Sequence, residues 1–149
     1  MDYYLLADMT VQIGYELAVA GAETYRVEET MRRVIEAYGT EGQVFAIPNC
    51  VAVSFVTPNT KPLAIMKRVS YHGNDLERIE KLNALSRRIC AEVPEPQEAQ
   101  RWLKETMAAV RSYAVWTYYL GNFMAAAGFC CVFGGTVRDW LWAGLSGLI

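Results

Sequence analysis

Leu6, Met9, Ile13 and Leu17 recur at spacings of three and four, which predicts a helix from residue 3 to about 20. Gly21 interrupts that pattern. Val27, Met31, Val34, Ile35 and Tyr38 then mark the buried face of a second helix. Its other face carries Glu28-Arg32, Glu29-Arg33 and Arg32-Glu36 at i, i+4, and Gly39 suits its C-terminal stop. The period next shortens. "QVFAIP", "CVAVSFVTP" and "PLAIMKRVSY" are rich in β-branched and aromatic residues and are punctuated by Pro48-Asn49 and Pro58-Asn59. They predict three short strands in a small, mostly antiparallel sheet. Helical spacing returns after His72-Gly73-Asn74. Asp75 is the expected cap, with Leu76, Ile79, Leu82 and Ile89 on the apolar face. Pro96 suits the first turn of a fourth helix, whose face is Ala99, Trp102, Leu103, Met107 and Val110.

From Ser112 to Val137 the pattern disappears, because no residue there is charged. As one helix this stretch would span roughly 39 Å, enough for a hydrocarbon core of about 30 Å. Tyr113, Trp116, Tyr118 and Tyr119 cluster at one end, as rings at a headgroup boundary do. The alternative is a core helix of a soluble protein. No break in the pattern separates the fourth helix from this span, so the two are expected to run on continuously. After Arg138-Asp139, "WLWAGLSGLI" is too short to cross a membrane and reads as the start of a second span, cut off. The expected organisation is a soluble α+β domain over 1–111, a transmembrane helix over 112–137 and a truncated second one over 138–149. The chain would then be the N-terminal fragment of a longer multi-pass protein.

Charge follows the same division. Of 14 Lys and Arg, 13 precede Ser112, as do 15 of 16 Asp and Glu. The front portion is therefore nearly neutral, with nothing to attract nucleic acid. Arg101, Lys104 and Arg111 precede the span and only Arg138 follows it, which places the soluble domain in the cytoplasm, on an inner-membrane protein. "MDYYLLADMT" lacks the basic start of a secretory signal, so Cys50, Cys90, Cys130 and Cys131 are expected as thiols. His72 is the lone histidine, which argues against a Cys/His zinc site. No phosphate-binding, dinucleotide-binding or nucleophile-elbow motif occurs, and no cofactor or metal is expected.

The candidate chemistry is sparse. Glu23, Arg26 and Glu28 follow Gly21 at a helix entry. Arg26 could hold a ligand carboxylate in bidentate fashion, or the trio could be an ion-paired helix start. Ser54 and Thr57 read as sheet residues before nucleophiles, and Asn49 as turn chemistry. In the apolar stretch Gly121, Ala125 and Gly128, with Ala126 and Ala127 beside them, form a small-residue face suited to another helix. Asn122 either lines a polar path or makes an interhelical hydrogen bond.

"GYELAVAGAETYRVEETMRRVIEAYG", then "AIPN", then "FGGTVRDWLWAGLSG" resemble the bacterial threonine/serine exporter family, whose relatives include two-component dicarboxylate (succinate) exporters. The resemblance covers nearly the whole chain. Gly14, Gly21, Tyr25, Arg26, Glu28 and Gly39 match the family's glycine and Tyr-Arg-Val-Glu signature. Gly134, Gly135 and Asp139 match its segment between the first two spans. It implies a cytoplasmic-type domain followed by several spans, with further helices from the same chain or from a small membrane partner subunit. It also implies an oligomer in lipid and a small-molecule substrate. It assigns no catalytic residue. The expected function is therefore a secondary exporter of small polar metabolites, threonine/serine or dicarboxylates, coupled to an ion gradient. The soluble domain would gate or sense substrate. Candidate contacts are Arg26, Glu23, Glu28, Asn122 and Asp139. The alternatives are a membrane-anchored hydrolase using Glu23, Glu28 or Ser54, and an assembly or sensor module.

Overall fold

A computed structural model describes residues 1–56, 62–111 and 113–148. Thr57, the Pro58-Asn59 turn and the Ser112 boundary lie outside the described residues. The chain divides into two compact units, Met1–Val110 and Arg111–Ile149.

The first unit is α+β. Its elements are α1 (Tyr3–Val19), α2 (Thr24–Ala37), β1 (Gly42–Ile47), β2 (Cys50–Val56), β3 (Pro62–Arg68), α3 (Leu76–Glu92) and α4 (Pro96–Ala108). These follow the order read from the periodicity. The central helix is α1. Leu6, Met9, Ile13 and Leu17 are buried as expected, but so are Thr10, Val11 and Glu16, because α1 packs against α2, the sheet, α3 and α4. The Thr10 hydroxyl is satisfied within the helix by donating to the Leu6 carbonyl at 2.8 Å.

Strand order is β1-β2-β3, antiparallel throughout. Ile47 pairs with Cys50 across the two-residue Pro48-Asn49 turn, which sets the register Phe45↔Ala52↔Met66. Val51, Val53 and Phe55 therefore point into the core, while Phe45, Val56 and Met66 are exposed on the other face. Burying one face only is what alternation in an antiparallel sheet produces.

Gly21 makes the α1–α2 corner possible. Its φ is +89°, and an added Cβ would lie 2.4 Å from the Gly73 carbonyl oxygen. The 72–75 loop clasps this corner: Gly73 N–H donates to Val19 at 2.7 Å and Asp75 N–H to Ala20 at 2.9 Å. Asp75 then caps α3 by accepting from Arg78 N–H at 2.9 Å. One charge cluster is drawn into this unit. Glu16 accepts from Arg78 and from Gln12, and Gln12 in turn accepts from Lys67. Leu76, assigned to the apolar face of α3, is instead exposed in its first turn.

The fourth helix does not run into the apolar stretch. It ends at Ala108, and the next helix, α5 (Val115–Val132), begins after Arg111, Tyr113 and Ala114, which are not helical. Lys81 of α3 donates to the Ala109 carbonyl and also pairs with Glu77 at 2.8 Å. A lysine held at a helix's negative end satisfies a carbonyl the helix leaves unpaired, which favours stopping there.

The second unit is a helical hairpin of α5 and α6 (Val137–Ser146). Close approach comes from small residues. A Cβ at Gly144 would fall 2.5 Å from the Phe123 ring, and one at Gly147 2.8 Å from Ala126. Phe123 and Trp140 meet edge to face at 6.2 Å. Of the small-residue face noted in the sequence, Gly121 and Gly128 have no neighbour within 4 Å of an added Cβ. Gly147, just past the end of α6, meets Ala126, and Ala127 is buried.

Candidate functional site

The charged opening of α2 separates into two parts. Glu23 sits at the N-cap position without a side-chain capping bond. Its carboxylate lies 3.5 Å from Arg26 Nε, and both side chains are more than half exposed. That separation exceeds the usual N–H···O range, so the pair is loose. Glu28 faces the sheet instead: it accepts the Ala46 N–H at 2.8 Å. Ala46 belongs to β1, an edge strand, and an edge leaves backbone N–H groups without a strand partner. Glu28 supplies the missing acceptor and ties α2 to the sheet. The Glu28-Arg32 pair expected from spacing is replaced for this reason. Arg32 pairs with Glu29 and, at 2.8 Å, with Glu36.

Arg26 lines a trough of about 810 Å³ between α2 and α3. Its α2 wall includes Arg26, Thr30, Arg33 and Ala37, at spacings of four, three and four, and therefore on one face. The α3 wall includes Asn83, Ser86, Arg87 and Cys90. The larger side chains of α3, Leu82, Leu85 and Ile89, turn into the core. Small residues thus occupy the seam and leave it open. Arg33 is held by Glu29 at 2.7 Å. Hydrogen bonds from Arg32, then Arg33, hold the Glu29 carboxyl below its ordinary range, so Glu29 stays ionised. Burial raises the Cys90 thiol, against a smaller opposing effect of Arg33. It is therefore a neutral group at physiological pH, not a thiolate nucleophile.

The other candidates lie elsewhere. Ser54 is exposed on the outer face of the sheet, between Gln43 and Ala64. His72 contacts the Ala18 carbonyl through Nδ1 at 3.2 Å. Asn122 is exposed on α5. Asp139 forms a reciprocal capping box with Thr136: its carboxylate accepts from Thr136 N–H at 2.9 Å and from the hydroxyl at 2.7 Å. That starts α6 and occupies the carboxylate locally. Among the described residues, no group of three or more His, Cys, Asp or Glu is placed to hold a metal ion.

The structure unites Glu23 with Arg26, and Arg26 with Arg33 and Arg87. It directs Glu28 to the sheet and leaves Asn122 and Asp139 in the second unit. Arg87, Asn83 and Ser86 were absent from the sequence candidates. Their i, i+3, i+4 spacing was visible, but not that it faced α2.

Over residues 8–149 the chain matches a family described as "Putative threonine/serine exporter". It is 24% identical over 131 residues to the "Probable threonine/serine exporter" of Mycobacterium tuberculosis, covering 87% of this chain and 25% of that protein. It is 25% identical over 122 residues to "Pheromone-regulated membrane protein 10" of Eremothecium gossypii, covering 81% of this chain and 16% of that one. The protein of the same name from Saccharomyces cerevisiae is 26% identical over 126 residues, covering 84% and 16%. The chain thus spans a quarter or less of the length of these relatives. No solved structure matches it.

Proposed function

Since this chain belongs to the threonine/serine exporter family, we propose that it supplies the soluble unit and leading membrane helix of a secondary exporter of small polar metabolites. The observation that carries the reading is α5. It is 18 residues long and apolar, and its side chains are almost entirely unburied. At 1.5 Å per residue it spans about 27 Å, close to the hydrocarbon thickness. A core helix of a soluble protein would have its apolar surface covered. Here Leu120, Met124, Phe129 and Val132 are exposed, and lipid is the solvent that suits them.

In this reading the protein is multi-pass and sits in the inner membrane. The basic residues Arg101, Lys104 and Arg111 keep the first unit cytoplasmic. Further helices, from the same polypeptide or from a small partner subunit, complete the pathway. The exposed Gly121 and Gly128 support this, since close helix packing needs such positions. The substrates are threonine and serine, or dicarboxylates such as succinate, driven by an ion gradient.

The test is efflux. Cells lacking the full-length gene should retain threonine, serine or succinate after loading, and overexpression should lower the retained pool. Pools unchanged in both directions would defeat the reading.

A further inference from the structure

We propose that the α2–α3 trough is a sensing site that binds the carboxylate group of a small metabolite. The trough is lined wholly by residues of the first unit, so binding there needs nothing from the membrane helices. The ligand's class, a small carboxylate-bearing metabolite, rests on the exporter reading. The site itself rests on the side chains that line the trough.

Three guanidinium groups face the trough, from Arg26, Arg33 and Arg87, with two carboxylates, from Glu29 and Glu36. Both carboxylates are already engaged: Glu29 by Arg32 and Arg33, Glu36 by Arg32 at 2.8 Å. Arg32 is not one of the lining residues, so the pairing neutralises the acids and leaves positive charge in surplus. Arg87 has no ion-pair or hydrogen-bond partner among the described residues, and Arg26 has only its loose contact with Glu23 at 3.5 Å. They stand on opposite walls, one on each helix. Each offers a planar fork of free donors to the trough, and such a fork holds the two oxygens of a carboxylate in bidentate fashion.

The rest of the lining suits a small polar ligand. Thr30 and Asn83 offer a hydroxyl and an amide. Ser86 spends its proton on the Asn83 carbonyl at 3.0 Å, which leaves its oxygen as an acceptor. Ala37 and Ala91 leave space, and about 810 Å³ lies within the usual range of ligand clefts. A solvated surface of ion pairs would explain Arg32 and Arg33. It does not explain why an unpartnered arginine and a second, loosely held one line the same trough from different helices.

The experiment is titration calorimetry on the full chain in detergent micelles. The probes are L-threonine, succinate, inorganic phosphate and threoninol, which lacks the carboxylate. Threonine, succinate or both should bind, and whichever does identifies the source. Threoninol and phosphate should bind at least tenfold more weakly. Arg87→Gln and Arg26→Gln should each weaken binding by about ten- to a hundredfold, the scale of one lost charge-assisted contact. Arg87→Lys, which keeps the charge but loses the fork, should fall between. Arg101→Gln, an exposed arginine outside the trough, should bind as the parent does. Melting of each variant is followed alongside, and if Arg87→Gln melts lower, Arg26→Gln on the opposite wall carries the test.

Equal binding of threoninol, tighter binding of phosphate, or no effect of both glutamine variants would overturn the proposal. Efflux by the full-length protein separates the two readings. Absent binding with intact efflux removes the sensing site alone. Binding without efflux removes the exporter reading alone.

Discussion

Glu28→Ala tests whether the charged opening of α2 is architecture. The substitution removes the acceptor of the Ala46 N–H, a bond of 2.8 Å. Ala46 is 7% exposed, so water has little access to replace the lost partner. A backbone donor left without a partner costs about 1–3 kcal/mol, and a bond to a charged acceptor lies toward the upper part of that range. At roughly 4 °C per kcal/mol for a unit of this size, the melting point should fall by about 4–12 °C. Glu28→Gln keeps an acceptor oxygen and should lose about half as much. Glu23→Ala is the control. Its ion pair with Arg26 is loose and exposed, and such pairs contribute at most about 0.5 kcal/mol. Thermal melts followed by far-UV circular dichroism, on the full chain in detergent, compare the three. The reasoning fails if Glu28→Ala melts within 2 °C of the parent, or if Glu23→Ala costs as much.

Three further outcomes follow from the packing. Val93 closes α3 in the left-handed region, at φ 43°, where a β-branched side chain is strained. Val93→Asn should therefore raise stability by about 1 kcal/mol in urea titration, and a fall would show that the Val side chain packs usefully there. Burial, then the nearby Cys90 and Glu95, push the Tyr38 hydroxyl up to about 12, and it donates to the Pro94 carbonyl at 2.7 Å. The folded state thus keeps a proton that the unfolded chain loses near pH 10. This stabilisation is full below pH 10 and fades as pH climbs toward about 12. Tyr38→Phe should show a shallower decline over that window, and parallel pH curves would contradict it. Gly144→Leu would drive a side chain into the Phe123 ring, 2.5 Å from the added Cβ. It should abolish Phe123–Trp140 ring NOEs in micelles, and their persistence would refute the close α5–α6 contact.

The elements of the first unit were legible because their signals are local. Helical spacing, Pro48-Asn49, Asp75 and Pro96 each state a backbone preference within a few residues, and the elements form where they point, although Leu76 is exposed. The break between α4 and α5 was not legible. The composition there is compatible with helix, and the stop is favoured by Lys81, 28 positions before the carbonyl it meets. Glu28 was misassigned for the same reason. Its spacing to Arg32 is ideal, but an edge strand 18 residues away competes for it.

The chain by itself determined that one stretch is uncharged and the other amphipathic, since hydrophobic period and charge are properties of the string. It also determined that Arg26 lies on a polar helix face. Only tertiary structure decided what that face meets. The pairing of α2 with α3 brings Arg26 and Arg87 to the walls of one trough, and the turning of Leu82, Leu85 and Ile89 into the core leaves the seam open. A site assembled from two helices some fifty residues apart depends on how they pack, and no local preference encodes that.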